Sequence, residues 1–159
     1  MNGNNEKELI YACDIGDFAK VKALANRENI NCEPEGWPPL HSSLAFCHPR
    51  VYNFIIDNFQ ANEDVVNKVS REFNTIPLHR AAASCDSDTV KKVADLTTNI
   101  NQKASNGATP LDFAIRYNNV GAAIELLRDH STSTKSVNKL SKLLIFSPQQ
   151  ILISFYLET

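Results

Sequence analysis

The chain has 159 residues, 43% of them hydrophobic and 21% charged, with a formal net charge of -2. Such a length gives a single domain able to bury a real core, and the composition excludes disorder as the chain's general state. The near-neutral balance gives no broad electrostatic reason to bind nucleic acid or an acidic membrane surface.

Met1 to Glu8 is polar and rich in asparagine, so no secretory signal is expected there. The apolar stretch from Leu143 to Leu157 is short for a bilayer span and is interrupted by Ser147-Pro148-Gln149-Gln150. Cys13, Cys32, Cys47 and Cys85 are scattered and no Asn-x-Ser/Thr sequon occurs, which fits a reducing interior. The expected location is the cytoplasm, with the nucleus possible.

Taken in chain order, Leu9-x-x-Ala12-x-x-x-Gly16-Asp17 opens the first unit, over about residues 6–32. Gly16 stands where a first helix must end and turn back, a place that favours a residue free to take a left-handed conformation. Phe18, Val21, Leu24 and Ala25 then form the apolar stripe of a second helix. The second unit, 33–70, begins with the turn-rich Glu33-Pro34-Glu35-Gly36-Trp37 and starts its helix at Pro38-Pro39-Leu40-His41. Cys47 takes the place of Gly16, and Val51, Phe54, Ile55 and Phe59 mark the buried side of its second helix.

The third unit, 71–103, contains Thr75-Ile76-Pro77-Leu78-His79-Arg80-Ala81-Ala82. Pro77 presets φ for a first helical turn, and Leu78, Ala81 and Ala82 place a large anchor and small residues on one face. Cys85 falls at the helix turn, with Val90, Val93 and Ala94 on the second helix. The fourth, 104–130, runs through Ser105-Asn106-Gly107 and Thr109-Pro110-Leu111-Asp112-Phe113-Ala114, and turns at Asn118-Asn119. Val120, Ala123, Ile124 and Leu127 follow helical spacing.

Leu9, Leu40, Leu78 and Leu111 are therefore equivalent, at intervals of 31, 38 and 33 residues. The long interval assigns five extra residues to Gln60–Ser70, expected as a longer loop after the second helix. Beyond Arg128 the pattern stops. Ser131 to Ser136 is a polar loop, Leu140, Leu143 and Leu144 indicate a short helix, and Ser147-Pro148-Gln149-Gln150 starts another. Residues 131–159 are expected to be a polar loop and an apolar cap or tail: Lys139 to Thr159 either folds over the fourth unit or stays free as an apolar anchor for a partner.

On the proline-leucine-histidine starts at Pro39 and Pro77, the threonine-proline-leucine start at Thr109 and a period near 33, residues ~6–130 resemble the ankyrin repeat family. The resemblance implies an all-α solenoid of stacked helix-turn-helix units with β-turn fingers, here followed by short C-terminal capping helices. In that family a threonine before the proline and the histidine after it brace the finger. Here His41 is paired with Pro38, His79 with Ile76 and Thr109 with Asp112, so less rigid fingers and lower stability are expected.

The repeated positions of His41 and His79 point to a structural role rather than to a metal or a general base. Equivalent positions in adjacent units put Cys47 and Cys85 about 10 Å apart, beyond the ~7 Å that a disulfide bridges. Cys47-His48 lacks the orienting third group of a nucleophile, and no phosphate loop, carboxylate pair or serine elbow is present. No enzyme activity, cofactor or metal is expected.

The resemblance implies a protein-binding adaptor or scaffold, acting as a monomer and using finger tips and the exposed side of the first helices. Carried over by repeat position, the partner-binding residues are Asp14, Ile15, Glu35, Trp37, Phe46, Phe73, Thr75, Ser84, Asn106, Arg116 and Tyr117, with Ala45, Ala83 and Ala108 beside them. Aromatics and arginine are the types enriched at interface hot spots. Two shorter resemblances imply alternatives. Pro148-Gln149-Gln150-Ile151-Leu152 through Leu157 resembles the start of an F-box helix and implies an adaptor for ubiquitin ligation. Ile76 to Ala82 is similar to a segment of gankyrin, which implies a proteasome-assembly chaperone.

Overall fold

Proline at the first helical position starts half of the eight helices in a computed structural model that describes residues 3–34 and 36–128. The helices are α1 (Gly3–Ile15), α2 (Phe18–Leu24), α3 (Pro39–Ala45), α4 (Pro49–Glu63), α5 (Pro77–Ser84), α6 (Ser87–Leu96), α7 (Pro110–Arg116) and α8 (Val120–Arg128). Pro39, Pro49, Pro77 and Pro110 each open one of them, where a missing N–H costs nothing. Among the described residues the fold is entirely helical, and no helix is long and apolar enough to cross a membrane. Glu35 and the whole segment 129–159, including the expected cap and the F-box-like stretch, lie outside the described residues.

The odd-numbered helices form one row, α1 against α3, α3 against α5 and α5 against α7. Each carries its hairpin partner behind it, and α2 meets α4 as α6 meets α8. The row packs closely because its inner faces hold small side chains, namely Ala12 and Cys13, Ser42 and Ser43, Ala81 and Ala82, and Ala114, all buried. Leu9, Leu40, Leu78 and Leu111 are buried between them, one per unit. That is the repeat read from the sequence, turned into a continuous core.

The hairpin turns obey local chemistry in three units and depart from it in one. Gly16, Cys47 and Asn118 have φ of 73°, 52° and 56°, the left-handed conformation that ends a first helix. Cys85 does not: it has φ -103° and ψ 168°. Only two residues separate α5 from α6, and Asp86 caps the next helix by accepting from the Thr89 N–H at 2.8 Å. At Gly16 a Cβ would meet His48 Nδ1 at 2.6 Å as well as the strain of positive φ. We expect Gly16→Ala to cost about 1–2 kcal/mol in urea denaturation; an unchanged midpoint would show that this turn relaxes freely.

The extra residues of the second unit are not a longer loop. They extend α4 to 15 residues, through Gln60 to Glu63, before Asp64 ends it at φ 47°. The apolar positions explain why: Tyr52, Ile55, Ile56 and Phe59 continue the buried stripe along the whole helix, and Gln60 Oε1 accepts the Val66 N–H at 3.0 Å to hold the following turn. At the far end, α8 buries Ala122, Ala123 and Leu126, whereas Val120, Ile124 and Leu127 are only half-buried. Its neighbours α5, α6 and α7 lie on one side, so helical spacing alone identified an apolar helix but not its inner edge.

The loops between hairpins share a plan. Gly36, Asn74 and Gly107 have φ of 101°, 52° and 79°, each three residues before the proline that opens the next helix. Ser70 N–H donates to Thr75 O and Ala104 N–H to Ala108 O, both at 2.8 Å, closing two equivalent turns. Ser105 N–H reaches Phe73 O at 2.9 Å, so one turn is tied to the next.

Candidate functional site

Two ladders of side-chain hydrogen bonds fix where each unit sits on its neighbour. On the loop side, His41 Nε2–H donates to Thr75 O at 2.8 Å and His79 Nε2–H to Ala108 O at 3.3 Å, while His79 Nδ1 accepts the Ile76 N–H at 3.2 Å. Both imidazoles are fully buried. Desolvation drives the His41 pKa down to about 3 and that of His79 to about 4, so both are neutral linkers at neutral pH. On the hairpin side, His48 Nε2–H donates to Asp14 O at 2.7 Å, Cys85 Sγ–H to Leu44 O at 3.3 Å and Asn119 Nδ2 to Cys85 O at 2.7 Å. Each joins the end of one first helix to the turn of the next unit. The fourth unit keeps a local brace instead, with Thr109 and Asp112 capping one another: Asp112 Oδ2 accepts from the Thr109 N–H at 2.9 Å and Thr109 Oγ1 from the Asp112 N–H at 3.3 Å.

Thr75, expected at a partner surface, lines the cavity around Trp37 and Phe73 but as a buried part of its wall. It is 1% exposed, and its hydroxyl is paired with Ser70 Oγ at 2.8 Å, because it forms the turn on which His41 hangs. Ala108 is likewise buried, since its carbonyl receives His79.

Five other expected residues come together. Trp37, Phe73, Asn106, Arg116 and Tyr117 line one cavity of about 420 Å³ where the loops meet α5 and α7. Ser105, Ala104, Thr75, Phe113 and Arg80 complete its described walls. The Trp37 and Phe73 rings meet edge to face at 6.2 Å between centroids, and Phe113 and Tyr117 at 6.1 Å form a second aromatic wall. Phe113 is held in turn against the His79 ring, at 5.0 Å. The loop turns place Trp37, Phe73 and Asn106, the first turn of α5 carries Arg80, and the far end of α7 brings Arg116 and its C-cap Tyr117.

Arg80 is the residue that sequence reasoning missed. Its Cζ lies 3.8 Å from the Trp37 ring centroid and 5.9 Å from that of Phe73. The stacking is a cation–π contact in a half-buried setting. Burial lowers its pKa from the usual arginine value, and the Tyr117 phenol acts against that shift. Arg80 Nε and Trp37 Nε1 are both buried with no hydrogen-bond partner among the described residues, and the described residues lining the cavity include no carboxylate. One signal was available: Arg80 follows His79 at the first turn of α5, next to a loop bearing two aromatics.

The other described residues of the expected set, Asp14, Ile15, Phe46 and Ser84, do not line this cavity. Phe46 is 57% exposed and stacks on His48 at 6.4 Å, at the hairpin end of α3. Ile15 and Ser84 are exposed at the ends of α1 and α5, and Asp14 is half-buried with its carbonyl engaged by His48.

All four cysteines are free, and burial pushes the Cys13 and Cys85 thiols up and that of Cys32 to about 11. These three are protonated at neutral pH and poor nucleophiles. Among the described residues no three His, Cys, Asp or Glu side chains gather into a group that could hold a metal ion. No family model matches this sequence, and no curated protein matches it.

Proposed function

We propose that the chain is an ankyrin-repeat adaptor that recognises a partner protein and carries no catalytic chemistry of its own. The stacked hairpins, their near-regular period and the loop turns with a left-handed residue three places before each proline support this reading. In it the helix pairs are the units of a solenoid and the loop turns are its fingers. The observation that carries the reading is the cavity framed by Trp37, Phe73, Arg80, Phe113 and Tyr117. Aromatic and arginine side chains at a partly exposed concavity are the composition of an interface hot spot; Arg80 and Phe113 stand on helices braced by the histidine ladder, and Trp37 and Phe73 on the loop turns that precede α3 and α5.

Selection of a random peptide display library on the immobilised protein tests it. Tyr117 is 57% exposed, so Tyr117→Ala leaves the core intact. Recovered peptides are expected to bind that variant about tenfold or more weakly than the original chain. A library that yields no binder, or binders indifferent to Tyr117→Ala, would overturn this reading of the cavity.

A further inference from the structure

We propose that the cavity selects a carboxylate, the side chain of an aspartate or glutamate flanked by apolar residues in an extended segment of the partner protein. This rests on the partner-recognition reading and names what that site prefers.

Among the described residues the charge in the cavity is one-sided. Arg80 and Arg116 both line it, and the described lining residues offer no Asp or Glu to neutralise them. The surface arginines and lysines that are paired in this fold show the contrast: Arg71 and Lys68 share Glu33, at 3.3 and 3.5 Å. Arg80 is paired with aromatic faces instead, its Cζ 3.8 Å from the Trp37 ring centroid, so its N–H groups are not taken up by a carboxylate among the lining residues described. The planar guanidinium fork matches a planar carboxylate, which accepts two parallel N–H bonds. Trp37 Nε1 and Arg80 Nε are further donors with no partner among the described residues; a buried donor left unmade is a cost that an acceptor oxygen removes.

An aromatic enclosure by itself is also the chemistry of a cation cage. Here the Trp37 face is already covered by Arg80 and a second cation stands at Arg116, so a lysine or methylated lysine would meet repulsion. Phosphate is recognised most often by clusters of arginines at close range; Arg80 is the one guanidinium stacked in the cavity, and Arg116 is exposed at its edge. The aromatic walls formed by Phe73, Phe113 and Tyr117 supply the contact area for apolar residues on either side of the acid.

Trp37 is the sole tryptophan of the chain, so its fluorescence reports directly on the cavity. The peptides recovered by display provide the probes: each is synthesised as selected and with its acidic residue changed to the amide or to phosphoserine, then titrated against Trp37 emission. The expected result is an Asp or Glu at one fixed position in the recovered family, and a loss of about tenfold or more on conversion to the amide. On Arg80→Gln the acid and amide forms should bind within about threefold of one another, as expected when the coupling runs through that pair. Arg80→Lys keeps the charge but not the fork and should recover only part of the preference, which also guards against a fold defect in Arg80→Gln. Binders without a fixed acidic position, or an acid preference retained in both variants, overturn the carboxylate assignment while leaving peptide recognition standing. Tighter binding of the phosphoserine form overturns it in favour of a phosphate site. A library that yields no binder overturns recognition itself and this assignment with it.

Discussion

Lowering the pH from 7.5 to 5.5 is expected to remove about 2.5–3 kcal/mol of unfolding free energy, measured by urea denaturation at each pH. His41 and His79 are the source. Burial holds their folded pKa values near 3 and 4, whereas an unfolded histidine titrates near 6.5. Between those limits the unfolded chain binds protons that the native chain refuses, so the stabilisation is complete above about pH 6.5 and is lost as pH falls toward the native values. Each imidazole contributes about 1.4 kcal/mol per pH unit below 6.5. The window chosen lies above ordinary carboxylate titration, which keeps Asp and Glu out of the slope. His41→Gln and His79→Gln retain a donor toward Thr75 O and Ala108 O without a titrating ring. Each should remove about half of the slope, whatever it does to stability at pH 7.5. A flat profile in the original chain, or a full slope in the double variant, would show that these rings are not held neutral by the fold. The loss is a large share of the 5–15 kcal/mol of a typical domain.

Leu78→Ala should cost about 3–5 kcal/mol by the same measurement. Leu78 is fully buried in α5, and α5 packs on α3, α6, α7 and α8. Truncation there leaves a cavity in the middle of the row, where the flanking helices are held apart by their own anchors Leu40 and Leu111 and cannot collapse into it. Because the units are coupled mainly to their neighbours, a defect in the third also weakens the hold of the second on the fourth. A change under about 1 kcal/mol would mean that the third unit is not the centre of a continuous core.

Much of this architecture was legible residue by residue. Proline fixes its own φ and is tolerated where a helix starts, so Pro39, Pro77 and Pro110 announced α3, α5 and α7 without any reference to their neighbours. Gly16 and Asn118 announced turns for the same kind of reason, the low cost of positive φ at those residue types. The spacing of Leu9, Leu40, Leu78 and Leu111 gave the period, and small residues beside them gave the close row.

What the sequence could not determine were the contacts made across about 30–40 residues of chain, for which no local preference exists. The histidines could be recognised as structural, but not that each reaches the carbonyl of the following loop and so buries Thr75 and Ala108. The five residues inserted after Phe59 carried no mark saying loop or helix; the buried stripe of α4 decided for helix. Trp37, Phe73, Asn106, Arg116 and Tyr117 were separately expected at a surface, yet their convergence on Arg80 follows from loops of three units being tied side by side. Local propensity is set by a residue and its near neighbours and can be read in one dimension; the charge balance and walls of a cavity are sums over elements distant in sequence, and only their packing fixes them.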